Sequence, residues 1–116
     1  TGIMVHVAME LKEKFKKKNI SVSILDLFVI QPINEKKIVN ILKKYKKIII
    51  IDENTYEGGI SILIESIISK NFVNCKKLFY FLPKEHCFKY GSRAWLHKIF
   101  RLDAGSIYSN INKKWF

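Results

Sequence analysis

Four consecutive isoleucines, Ile48–Ile51, constrain this chain more than any other feature. A strand with one face in water alternates apolar and polar residues. An unbroken β-branched run is instead the pattern of a central strand in a parallel sheet covered on both faces. Asp52 and Glu53 are expected to terminate it, and Asn54–Gly59 (NTYEGG) to form the loop that follows. After that loop Ile60, Leu63, Ile64, Ile67 and Ile68 recur at helical spacing, which predicts a helix ending near Asn71.

The same grammar extends in both directions. Upstream, Met4, Ala8, Leu11 and Phe15 share one helical face, so a helix is expected to about Lys17, closed by Asn19. Ser21–Ile30 (SVSILDLFVI) is apolar and β-rich and should be a strand buried on both faces. Pro32 holds Gln31 extended, and Asn34 is a good N-cap for a helix presenting Ile38, Ile41, Leu42 and Tyr45, with Glu35 in its first turn. Downstream, Leu78–Leu82 predicts a strand broken by Pro83. Lys84–Gly91 reads as a loop, followed by a short helix from Ser92 and a last helix from about Ala104 that buries Ile107 and Ile111.

Helices alternating with apolar strands specify an α/β fold. The expectation is one three-layer α/β/α domain over residues 1–116, built on a mainly parallel open sheet of about five strands with one antiparallel edge strand. The first strand is largely missing from this chain, Thr1-Gly2 supplying only its end. The start has no initiator methionine and no signal-peptide pattern, so it reads as part of a longer chain.

Charge and cysteine usage exclude little, but they set a direction. The formal net charge is +11, which raises nucleic acid as a partner. However, the basic residues are nearly all lysine, spaced between apolar helix positions as in Lys12, Lys14 and Lys16–Lys18, and only Arg93 and Arg101 could make bidentate phosphate contacts. A solvated face is the simpler reading, and neither nucleic acid nor membrane is expected as a partner. Cys75 and Cys87 lack CxxC spacing, which fits a reducing, cytoplasmic setting with two incidental thiols.

Several residues together resemble one family. These are Thr1-Gly2 at a strand-to-helix turn, Ile24-Leu25-Asp26-Leu27 leading to Ile30-Gln31-Pro32-Ile33-Asn34, Asp52-Glu53 before Glu57-Gly58-Gly59, Tyr90-Gly91-Ser92 before a helix containing Leu96, and Leu102-Asp103-Ala104 before a helix with Ile107 and Ile111. In order and spacing this resembles the C-terminal domain of transketolases, deoxyxylulose phosphate synthases and the beta subunits of 2-oxoacid dehydrogenases. Two places depart from that pattern. The loop after Pro83 is longer and differently charged, and Arg101 stands where the family has a glycine before Leu-Asp-Ala, so a different turn is expected there.

The resemblance implies a thiamine diphosphate enzyme with Mg²⁺, whose cofactor ligands lie in upstream pyrimidine- and diphosphate-binding domains or in a separate subunit. It also implies a homodimer or heterotetramer. A diphosphate needs a hard cation held by oxygen ligands, and no Gly-Asp-Gly motif for that cation occurs here. No catalytic, cofactor-binding or metal residue is therefore assigned to this chain. Its expected role is assembly within a transketolase-like transferase, with the synthase and the dehydrogenase beta subunit as alternatives, and the chain alone is expected to be inactive.

The most site-like constellation is Asp52, Glu53, Glu57, Gly58 and Gly59, at a strand end where open α/β sheets bind ligands. Two uses are open for it: a contact with a neighbouring domain or subunit, or an anion at the following helix N-terminus. The second would make the chain a small-molecule or nucleotide-binding module. His6, His86 and His97 have no metal spacing, Ser92 has no evident base, and the neighbours His86 and Cys87 lack a third group to orient a base toward the thiol. Trp95, Trp115 and Phe116 read as packing or interface anchors.

Overall fold

A computed structural model describes all residues, Thr1–Phe116, as five helices and two strands. They divide into two compact units, Thr1–Leu27 with Pro83–Phe116, and Phe28–Leu82.

In the first unit, α1 (Met4–Lys16) packs on α5 (Ala104–Trp115). α1 buries Met4, Leu11 and Phe15, and α5 buries Ala104, Ile107 and Ile111. Phe15 meets Tyr108 with ring centroids 5.0 Å apart, and the ammonium groups of Lys14 and Lys18 lie 5.9 and 5.5 Å from the same ring. The remaining lysines of α1 are exposed, as the apolar spacing requires. α4 (Arg93–Ile99) starts at Ser92, whose hydroxyl accepts from the Trp95 N–H at 3.2 Å. α5 starts at Asp103, whose carboxylate accepts from the Ser106 N–H at 3.0 Å and from its hydroxyl at 2.6 Å. Burial works to raise the Asp103 pKa, but the hydrogen bonds from Ser106 and Gly105 outweigh it and hold the carboxyl below its ordinary value.

In the second unit, α2 (Glu35–Leu42) is capped by Asn34, whose side chain accepts from the Lys37 N–H at 3.0 Å. Its buried face is Ile38, Val39 and Leu42, while Ile41 is half-buried and Tyr45 exposed, so the apolar stripe is rotated toward Val39 relative to the expected one. β1 (Lys47–Thr55) and β2 (Lys76–Leu82) pair in parallel, Lys47 opposite Lys76 and Ile51 opposite Tyr80. α3 (Ile60–Lys70) joins them and covers one face of the pair. On that face Ile48 and Ile50 are buried, and Lys77 of β2 donates to Glu65 of α3 at 2.6 Å. The opposite face carries Ile49, Ile51, Leu78 and Tyr80, all half-buried. Burial pushes the Tyr80 phenol up to about 12.

Two expectations need correction. β1 does not stop at Asp52 but continues to Thr55, with a register irregularity between Ile51 and Thr55 that carries Asp52 and Glu53 inside the strand. Ser21–Ile30 is not a strand buried on both faces. No backbone hydrogen bond joins Ser21–Pro32 to a neighbour, and Leu25, Phe28, Val29 and Ile30 are exposed, Phe28 at 83%. Strand propensity expresses itself only against a neighbouring strand, and none lies beside this segment. The sheet has two strands, and mixed α/β is the class observed.

Three helices end in the same way. The N–H groups of Ile20, Val73 and Leu102 reach back to the carbonyls of Phe15, Ile68 and His97, while Asn19, Phe72 and Arg101 take φ of 58°, 51° and 57°. These are Schellman closures, normally made with glycine in the left-handed position. Arg101 therefore keeps the turn that a glycine would make, at a conformational cost of roughly 1 kcal/mol or more.

Candidate functional site

The turn from β1 into α3 is built around Asp52. The carboxylate is 1% exposed and both its oxygens are engaged. One accepts from the Ile60 N–H at 2.7 Å, the first amide of α3; the other accepts from the Asn54 N–H at 3.2 Å and its side-chain amide at 3.0 Å. A helix N-terminus leaves several amides without intrahelical partners and favours negative charge. Asp52 meets that demand from within the chain.

Gly59 is what allows it. A Cβ at this position would stand 1.8 Å from Asp52 Oδ2 and 2.9 Å from Asn54 Cβ. The requirement is for space, because its φ of −125° is open to any residue. A Cβ on Gly58 would stand 2.9 Å from Thr55 Oγ1. The expected constellation thus separates into parts. Asp52, Gly58 and Gly59 are brought together in the turn, Glu53 is half-buried on the strand, and Glu57 is exposed at the loop tip. Asn54 and Ile60, which the sequence reading passed over as site residues, complete the arrangement. The Asp-x-Asn spacing at a strand end was the available signal, since such side chains bond backbone two residues on.

The rest of the molecule offers less chemistry. No group of three His, Cys, Asp or Glu side chains is placed to hold a metal ion. The one fully buried acid, Asp52, has its oxygens committed, so the residues present do not fit a Mg²⁺-diphosphate site. Cys75 is half-buried and its thiol is pushed up by burial; Cys87 is exposed, its sulfur 3.5 Å from the Lys89 carbonyl. His86 lies beside Phe88, with ring centroids 6.3 Å apart. In the second unit an open groove of about 520 Å³ is lined by Ile30, Gln31, Pro32, Ile33 and Leu63. No helix is long and apolar enough to cross a membrane.

Comparison with known proteins decides the family. Residues 1–107 match the family described as the C-terminal domain of transketolase. The chain belongs to that family. Individual relatives of this transketolase C-terminal domain are more distant. The 2-oxoisovalerate dehydrogenase subunit beta of Bacillus subtilis is 31% identical over 70 residues, 60% of this chain and 21% of that protein. Transketolase of Rattus norvegicus is 32% identical over 68 residues, 58% of this chain and 11% of that enzyme. The 1-deoxy-D-xylulose-5-phosphate synthase of Fusobacterium nucleatum is 25% identical over 113 residues, covering 97% of this chain and 19% of that enzyme. The transketolase C-terminal domain described here therefore spans about a fifth or less of these relatives' length.

Proposed function

We propose that this chain is the assembly domain of a thiamine diphosphate- and Mg²⁺-dependent enzyme of the transketolase type, which transfers two-carbon ketol units between sugar phosphates. Membership of the transketolase C-terminal domain family carries the reading. Within it, pyrimidine- and diphosphate-binding domains, upstream or on a separate subunit, supply the cofactor ligands and the catalytic groups. The chain binds no cofactor alone, the complete enzyme is a homodimer or heterotetramer in the cytoplasm, and its sheet reaches about five strands between two helical layers.

The Asp52–Gly59 turn then serves contact and not anion capture. A ligand phosphate at the α3 N-terminus would have to displace a buried carboxylate that already satisfies the Ile60 N–H. Glu53 and Glu57, at the same end, are the groups this reading assigns to the neighbouring domain or subunit.

The test is co-expression with the polypeptide carrying the cofactor-binding domains, followed by assay with ketose and aldose phosphates. Cofactor-dependent ketol transfer that needs both parts is the expected result. Turnover only of pyruvate with glyceraldehyde phosphate would assign the synthase reading. Turnover only of branched-chain 2-oxoacids would assign the dehydrogenase beta subunit.

A further inference from the structure

The lysines of the second unit gather at one end of its strand pair. Lys43, Lys44 and Lys46 occupy the turn from α2 into β1, and Lys47 opens β1. Lys76 opens β2 opposite Lys47 and donates its N–H to the Lys46 carbonyl at 2.8 Å. All five are exposed. Spacing between apolar helix positions explains a lysine as part of a solvated helix face, but these five lie outside the helices. Nor are they balanced by acids. Glu35 and Glu65 are taken by Lys70 and Lys77, and Lys43, Lys44, Lys46 and Lys76 have no carboxylate in ion-pair reach. Strand pairing gains nothing from the arrangement, because like charges facing each other across strands oppose it. The same end carries an apolar point. α3 runs into β2 through residues 71–75, and there Phe72 is 91% exposed with φ of 51°. A bulky side chain in the left-handed region is an outlier that costs free energy, and no burial of the ring offsets it. Tyr45, between Lys44 and Lys46, is exposed as well.

We propose that this end of the strand pair docks on an anionic phospholipid bilayer, with the lysines among the headgroups and Phe72 at the acyl boundary. Clustered lysines are drawn to an anionic leaflet, and an aromatic or aliphatic side chain beside them gains by leaving water. Both parts of that recognition are present within residues 43–76 of one unit. Nucleic acid fits less well. Its phosphates favour arginine, and Arg93 and Arg101 both belong to the other unit. A strand of bases also needs successive rings to stack on, whereas Phe72 stands outside every aromatic pair of the molecule. Attachment of this kind is peripheral and reversible and requires no membrane-crossing helix. It departs from the expectation of no membrane partner, which rested on lysines spaced along helices. Glu53 and Glu57, assigned above to the neighbouring domain or subunit, lie toward the opposite end of β1, so the two surfaces do not compete.

Vesicle co-sedimentation of the complete enzyme tests this, with equimolar phosphatidylserine and phosphatidylcholine against phosphatidylcholine alone. The enzyme should bind the anionic vesicles, leave the neutral ones in the supernatant, and dissociate as salt is raised. Each lysine near the surface is worth about fivefold in partitioning, so Lys46→Gln with Lys76→Gln should weaken binding roughly 30-fold. Phe72→Gly should weaken it about tenfold. That variant relieves the left-handed backbone, so a loss of binding in a chain that is no less stable to urea separates docking from unfolding. Absence of binding to anionic vesicles overturns the proposal, as does binding that neither variant weakens. Single-stranded polyuridylate is the control for the other polyanion: its capture through the same lysines, without capture of vesicles, overturns the proposal in favour of nucleic acid. None of these outcomes bears on ketol transfer, so the proposed function stands or falls separately.

Discussion

β1 and Ser21–Ile30 have similar compositions and opposite fates: one is a paired strand with Ile48 and Ile50 buried, the other an unpaired segment with Phe28 and Val29 in solvent. Both are rich in β-branched and aliphatic residues, so local propensity does not separate them. What separates them is a neighbour. β1 is bound to β2 and roofed by α3, an arrangement that one short βαβ crossover provides within the second unit. Ser21–Ile30 has no strand to pair with. A strand pattern in sequence therefore becomes a strand only where the fold sets another strand beside it.

The contrast can be broken at several points. The largest effect is expected at the turn that anchors β1 to α3. Gly59→Val drives a side chain into the Asp52 carboxylate, and Asp52→Ala strands the Asn54 and Ile60 amides. Each should cost roughly 2–4 kcal/mol by urea denaturation; near-neutral behaviour would mean the turn is not built as described. Next, Ile50→Ala should cost roughly 2–4 kcal/mol through the cavity it leaves. Val29→Ala in the chain alone should change stability by less than about 0.5 kcal/mol. Equal costs would show that Ser21–Ile30 is packed in solution, and the comparison would fail.

A gain is expected where helices close against preference. Phe72 is 91% exposed with φ of 51°, so Phe72→Gly forfeits almost no packing and relieves the left-handed backbone. It should stabilise by about 1 kcal/mol, and Arg101→Gly by a similar amount. A loss in either variant would show that the side chain is held by contacts that outweigh the strain.

The smallest effect is on pH dependence. The Asp103 carboxyl is held below its ordinary pKa in the folded state. Its contribution is therefore fully present above the unfolded value, about 3.9, and is lost as pH falls through the folded one. The urea midpoint should decline below about pH 4, and Asp103→Asn should flatten that decline. An unchanged slope would remove Asp103 as a source.

How much of this was legible beforehand follows the range of the forces involved. Helices and their caps are short-range, and Asn34, Ser92 and the Ile107–Ile111 face could be read directly. Asn19 announced the end of α1 because asparagine tolerates the left-handed position, whereas Phe72 and Arg101 adopt it without any such signal. The acids and glycines of the turn were visible as a cluster. Their geometry was not, because Asp52 reaches eight residues ahead to the Ile60 amide, and only the folded turn brings the two together. Ser21–Ile30 departs from expectation because a local apolar pattern does not specify the neighbouring strand that its pairing requires.

The division of labour proposed above gives this chain fold and contact surface and puts the cofactor site elsewhere in the enzyme. Calorimetric titration of the purified chain with thiamine diphosphate and Mg²⁺, alone and after assembly with the polypeptide carrying the cofactor-binding domains, tests it most directly. The expected result is no binding heat for the chain alone and saturable binding by the assembly. Saturable binding by the chain alone, abolished by Asp52→Asn, would contradict it and return the Asp52–Gly59 turn to the role of a ligand site.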